Sequence, residues 1–145
     1  SSEIFGHAIE PGATVFWYAD LLSPWVLLQR PSYWSDLQQA GLLFNRGTAI
    51  EAHRREVILQ PCLMQAELCK IMDNLNKKYG SCEVDISSLH DPCRDREIKL
   101  DYLILPHLLP IRKMGEFYLN DGLKWNAGAL ADGGRLYLYS CKDVP

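Results

Sequence analysis

Between residues 62 and 79 the apolar side chains Met64, Leu68, Ile71 and Leu75 recur at intervals of four, three and four. That spacing places them on one stripe of an α-helix with 3.6 residues per turn. Pro61 suits the first turn of such a helix, Lys77 and Lys78 favour the negative end of its dipole, and Gly80 is placed to cap it. The pattern predicts a helix over 62–79 that buries Leu68 and Ile71 and turns Lys70 and Asn74 to water. A shorter amphipathic helix is predicted over 31–41, with Pro31 near its start and Gly41 at its end.

Strand-like runs surround these helices. Residues 13–19 combine β-branched and aromatic side chains, 42–44 and 56–60 are short apolar runs, and 82–86 alternates before a polar loop. Residues 99–105 form a mostly apolar run of the kind buried on both faces of a sheet, and 133–139 begins with two glycines before Arg135, Leu136 and Tyr137. Residues 116–130 read in two ways. The turn signals at Asn120-Asp121-Gly122 and Asn126-Ala127-Gly128 favour a hairpin, and the element order favours a helix that tolerates its glycines. The expected fold is an α/β domain of three layers, with about five mostly parallel strands and flanking helices. The alternative is an α+β domain ending in a C-terminal antiparallel meander.

Composition narrows the class. At 145 residues the chain has the length of a single domain, 1–145. A net charge of -3 gives no general attraction to phosphate or anionic lipid, so extended nucleic-acid binding is not expected. The basic clusters His53-Arg54-Arg55 and Arg112-Lys113 read as solvated helix-end or loop charges. No run approaches the eighteen or so apolar residues of a spanning helix, and no basic start precedes an apolar core at the N-terminus, so no membrane association is expected. Cys62, Cys69, Cys82, Cys93 and Cys141 are odd in number and irregularly spaced, which favours free thiols in an intracellular, reducing compartment.

The order of Val84-Asp85-Ile86, Leu100-Asp101-Tyr102-Leu103-Ile104 and Ala131-Asp132-Gly133-Gly134-Arg135-Leu136 resembles the second half of a Rossmann-like S-adenosylmethionine-dependent methyltransferase, over roughly the last 85 residues. The resemblance implies a transferase moving a methyl group from S-adenosylmethionine, with Asp85 and Ile86 lining the adenine pocket. It sets Gly47 in the cofactor loop and Gln60 at the ribose-binding strand end, and it turns the region of His107 toward substrate as the candidate catalytic group. Only one glycine, Gly47, stands where a glycine-rich loop is expected, and Gln60 replaces the usual carboxylate. The cofactor half is therefore expected to be degenerate, and the chain to act as a binding module if it has lost the cofactor.

Other chemistries compete. Asp85 with Glu97-Ile98-Lys99 fits the acidic residue and Glu-x-Lys of metal-dependent nucleases, where two carboxylates hold Mg²⁺ and the lysine polarises the attacking water; Glu67 is a candidate third carboxylate. Asp20-Leu21-Leu22-Ser23-Pro24-Trp25 resembles the first strand end of thioredoxin-like isomerases and kappa-class glutathione transferases, which implies that Ser23 poises a thiol. Cys82, His90 and Cys93 approach a zinc set with its fourth ligand unassigned, and His90 with Cys93 is a candidate nucleophile pair. His107 between Leu105 and Leu108 has the simpler reading of a packed histidine. A non-enzymatic protein-interaction domain completes the alternatives.

Overall fold

The structure, a computed structural model, describes residues 8–18, 33, 46–76, 82–118 and 135–145. The elements in chain order are β1 (Val15–Trp17), α1 (Arg46–Asn76), a 3-10 turn (Ile86–Leu89), α2 (His90–Cys93), β2 (Tyr102–Leu105), β3 (Gly115–Tyr118), β4 (Arg135–Ser140) and a last 3-10 turn (Cys141–Asp143). The four strands form one sheet in the order β1-β2-β4-β3. β1 runs parallel to β2, with Val15 opposite Tyr102 and Trp17 opposite Ile104. β4 runs antiparallel to β2, with Leu105 opposite Tyr137, and antiparallel to β3, with Gly115 opposite Leu138.

The fold is thus mixed α/β, and about five mostly parallel strands are not found among the described residues. Two of the three pairings are antiparallel, as in the α+β alternative, but β4 inserts between β2 and β3 where a meander would leave it at the edge. The side chains explain the order. β4 is apolar on both faces at Leu136, Tyr137, Leu138 and Tyr139, all buried, and so takes an interior place. β3 carries Gly115 and the exposed Glu116, which suit an edge.

Alternation along the strands sorts two cores. Phe16, Tyr18, Leu103, Leu105, Tyr137 and Tyr139 face one side and meet Leu59, Cys62, Ala66 and Cys69 of α1. Val15, Trp17, Tyr102, Ile104, Leu136 and Leu138 face the other, with Ile9, Ala13 and Met114 against them. Side chains of successive residues point to opposite faces, so each apolar run serves both layers. The expected strands at 13–19, 99–105 and 133–139 are present in shortened form. That at 82–86 is reduced to a single bridge between Glu83 and Leu108. The expectations for 20–25, 31–41, 42–44, 77–80 and 119–134 lie outside the described residues, apart from Tyr33.

α1 corrects the helix prediction in three respects. Its 31 residues begin at Arg46 and run through Pro61, so 56–60 is helix and not strand. Ion pairs Glu51–Arg54 and Glu51–Arg55, at spacings of three and four, hold this first half in helical register. Pro61 deprives the Val57 carbonyl of its intrahelical donor, on a side where both residues are exposed and water can take the donor's place. The buried face is also not the predicted one. Leu59, Cys62, Ala66 and Cys69 are at most 3 % exposed, whereas Met64, Leu68, Ile71 and Leu75 are 52 to 78 % exposed. Small side chains at 62, 66 and 69 let the helix approach the sheet closely. The side chains of Lys70 and Asn74 lie outside the described set.

Four of the five cysteines are paired, against the expectation of free thiols. Cys69–Cys82 ties α1 to the segment that follows it, and Cys93–Cys141 ties α2 to the end of β4. Closing loops of 13 and 48 residues constrains the unfolded chain by about 3 and 4 kcal/mol in the chain-entropy picture.

Leu59→Ala is expected to cost about 2–5 kcal/mol, through lost transfer energy and the cavity left behind. Pro61→Ala is expected to stabilise by up to about 3 kcal/mol by restoring a helical hydrogen bond. Denaturant melts check both, and a destabilised Pro61→Ala would contradict the continuous helix.

Candidate functional site

His107 follows β2 and is only 2 % exposed. Its ring meets Tyr18 edge-on, with centroids 6.3 Å apart, and the Tyr18 hydroxyl donates to Glu67 of α1 at 2.7 Å. Behind it lies the carboxylate of Asp73, itself 2 % exposed. Nδ1 of His107 has no hydrogen-bond partner among the described residues. The loop around it is fixed by Tyr139, whose hydroxyl accepts from Leu109 N at 3.0 Å and donates to the His107 carbonyl at 3.3 Å; burial pushes that phenol up to about 12. His107 is therefore a packed histidine roofed by α1. Burial lowers its pKa, and Asp73, the Ala66 carbonyl and Glu67 oppose this only in part.

The other sequence candidates are dispersed. Gly47 and Gln60 both lie on α1, about 20 Å apart along its axis, where the resemblance implies a loop and a strand end. Asp85 accepts from Ser87 N at 3.1 Å and caps the 3-10 turn; its own N–H donates to the Gln65 side chain. Ile86 is half-buried against the core on the α1 side of the sheet. Glu97 pairs with Arg54 at 3.2 Å and Lys99 with Asp101 at 3.5 Å, so Asp85, Glu97 and Lys99 each serve a different local contact. Cys82 and Cys93 belong to separate disulfides, which corrects both the zinc set and the His90–Cys93 nucleophile pair. His90 meets Arg94 and the Pro145 carbonyl. Among the described residues no group of three or more His, Cys, Asp or Glu side chains is placed to hold a metal ion. Ser23 lies outside the described residues.

The thiol of Cys62 is fully buried, and desolvation pushes it up to about 12 with only partial opposition from a Ser88 hydrogen bond; it is a core side chain and no nucleophile. A cavity of about 130 Å³ beside the Cys93–Cys141 bond is lined by Glu10, Lys99, Asp101 and Lys142 among others. Asp85 and Glu97 are not part of it.

Within the basic cluster at 53–55, His53 is exposed, whereas Arg54 and Arg55 are partly buried and engaged. Arg54 forks onto Asp95 at 2.9 and 3.1 Å and also bonds Glu51 at 2.6 Å. Asp95, with its side chain 2 % exposed, further accepts from the Tyr33 hydroxyl at 2.7 Å. Arg55 bonds the Tyr33 carbonyl at 2.8 Å and lies over the Tyr33 ring. Burial alone would raise the Asp95 carboxyl, but Arg54, Tyr33 and the amides of Glu97 and Ile98 together hold it below its usual range. The Arg54 hydrogen bond is the largest influence on Glu51 and carries it down to about 2. This network fastens the first half of α1 to the 95–98 segment. Both guanidinium groups are engaged within the chain.

Among the described residues, the exposed large apolar side chains lie on the outer face of α1. Ile50, Val57, Met64, Leu68, Ile71, Met72 and Leu75 are 51 to 78 % exposed. Ile50, Val57, Met64 and Ile71 follow one another at intervals of seven, as do Leu68 and Leu75. The buried row also repeats by seven at Leu59, Ala66 and Asp73, and at Cys62 and Cys69. α1 therefore has two opposed seams, one in the core and one outside. The outer seam was visible in the sequence as a stripe, and its larger side chains made it pass for the buried face. No described helix is long and apolar enough to cross a membrane.

No family model, curated protein or solved structure matches this chain.

The buried imidazole makes stability depend on pH. The folded pKa of His107 lies below the unfolded value of about 6.5. As pH falls through that value the unfolded chain takes up a proton that the folded chain refuses, and stability declines until the folded pKa is passed. Urea melts between about pH 7 and 5 should show a smaller decline for His107→Gln than for the native chain. Equal slopes would mean that His107 is not shielded.

Proposed function

We propose that this chain is a non-catalytic protein-interaction module that works through the outer seam of α1, docking against an apolar helical face of its partner. The observation that carries the reading is the exposed row Ile50, Val57, Met64, Leu68, Ile71 and Leu75 on a helix whose opposite face is committed to the core. From Ile50 to Leu75 the seam runs about 38 Å, and at a helix width of about 10 Å it covers on the order of 400 Å². An apolar patch of this size is comparable to the largest on a typical monomer, which is often functional, and a stripe along one helix suits helix-against-helix recognition.

In this reading the likeness to methyltransferases is confined to the sequence pattern, with S-adenosylmethionine no ligand. Asp85, Glu97 and Lys99 are local structural contacts and not a nuclease centre. The two disulfides support folding where thiols can be oxidised, and they brace a domain whose working surface is apolar.

Side chains kept for a partner contribute little to the stability of the chain alone. Leu68→Gln and Ile71→Gln are each expected to change the unfolding free energy of the dilute protein by no more than about 0.5 kcal/mol. A loss of about 2 kcal/mol or more at both sites would show that the seam belongs to the chain's own core, and the docking reading would fall.

A further inference from the structure

We infer that the partner of the α1 seam is a second copy of this chain, paired with it in antiparallel register. The inference rests on the docking role of the seam and adds the identity and direction of what covers it. A strict repeat of seven keeps one stripe facing a like stripe over several turns when two helices supercoil gently. The rows at 50, 57, 64, 71 and at 54, 61, 68, 75 are the two inward positions of such a repeat. The seam is therefore self-complementary, as a two-fold interface requires.

Direction follows from the two residues that interrupt the apolar row. In a parallel pair Arg54 would face the partner's Arg54 and Pro61 the partner's Pro61, so like charges would meet near one end and two rings at the centre. In the antiparallel pair each member of one row faces a member of the other. Ile50 meets the partner's Leu75, Val57 the partner's Leu68, Pro61 the partner's Met64, and Arg54 the partner's Ile71. The Arg54 guanidinium is already held by Asp95 and Glu51, so only its aliphatic stem is asked to lie against Ile71.

The borders of the seam raise no barrier to approach. Glu51 is paired with Arg54 and Arg55, Glu67 receives the Tyr18 hydroxyl, and Gln60 and Gln65 are uncharged. Counted on both copies the seam covers on the order of 800 Å², below the ~1,200–2,000 Å² of a stable standard interface. The pair is accordingly reversible and depends on concentration.

Sedimentation of the full chain tests this. The weight-average mass should rise with concentration from that of one 16.5 kDa chain toward twice that value. Leu68→Asp combined with Ile71→Asp should remain monomeric at every concentration while keeping the native circular dichroism. Under oxidising conditions, Ile50→Cys mixed with Leu75→Cys should cross-link between chains, and Ile50→Cys alone should not. A native chain that stays monomeric overturns self-pairing, as does a dimer that survives both aspartates or a cross-link formed by Ile50→Cys alone. Monomeric native protein with stability-silent seam substitutions leaves the docking role standing and removes only the second copy, whereas destabilising seam substitutions remove both.

Discussion

The close packing of the inner row of α1 on one face of the sheet is the contact on which the rest of the structure depends. Leu59, Cys62, Ala66 and Cys69 meet Phe16, Leu103, Leu105 and Tyr139 there. Burying a side chain the size of Leu59 stabilises by about 1.5–3 kcal/mol, and the small residues around it let helix and strands come close enough to exclude water. Once that face is chosen, the position of every other residue of the helix follows from its period. His107 and Asp73 are sealed beneath it, and the large apolar side chains of the opposite row point away from the domain.

Two kinds of fastening hold the helix in that orientation. Near its start, Arg54 and Arg55 engage Glu51, Asp95 and Tyr33. Near its end, Cys69 is bonded to Cys82. The charged network is nearly dry at Asp95, so removing one partner strands the others, whereas exchanging the whole set for well-packed apolar side chains is often close to neutral. A helix pinned at both ends and packed along its length presents its outer seam in a fixed geometry, and pre-organisation of that kind lowers the entropy lost on docking.

Much of the sheet was legible in the sequence. The apolar run before Leu105 and the aromatic run before Tyr18 announced buried strands, and Leu136–Tyr139 did the same. Their pairing was not, because the place of β4 between β2 and β3 depends on contacts between residues far apart in the chain. α1 was legible as a helix but not in its start or its facing. Val57 and Ile58 are β-formers that tertiary packing and the Glu51 ion pairs override. Periodicity reports an apolar stripe without reporting what lies against it, and here the stripe richest in large side chains is the outer one. The signal for the inner face was the run of small residues Cys62, Ala66 and Cys69. The disulfides were hidden by an odd count that includes the buried Cys62, and the Arg54–Asp95–Tyr33 network joins segments whose proximity no local pattern encodes.

Facing of α1 is the central claim, and Cys62 and Met64 test it within two residues of each other. Native protein in dilute solution, exposed briefly to an oxidant for methionine and to an alkylating reagent for cysteine, can be read by peptide mass spectrometry at both positions. The structure predicts rapid oxidation of Met64 and no alkylation of Cys62 until denaturant is added. Prompt alkylation of Cys62 with Met64 protected would show that the helix packs through its other face, and the seam would then be core.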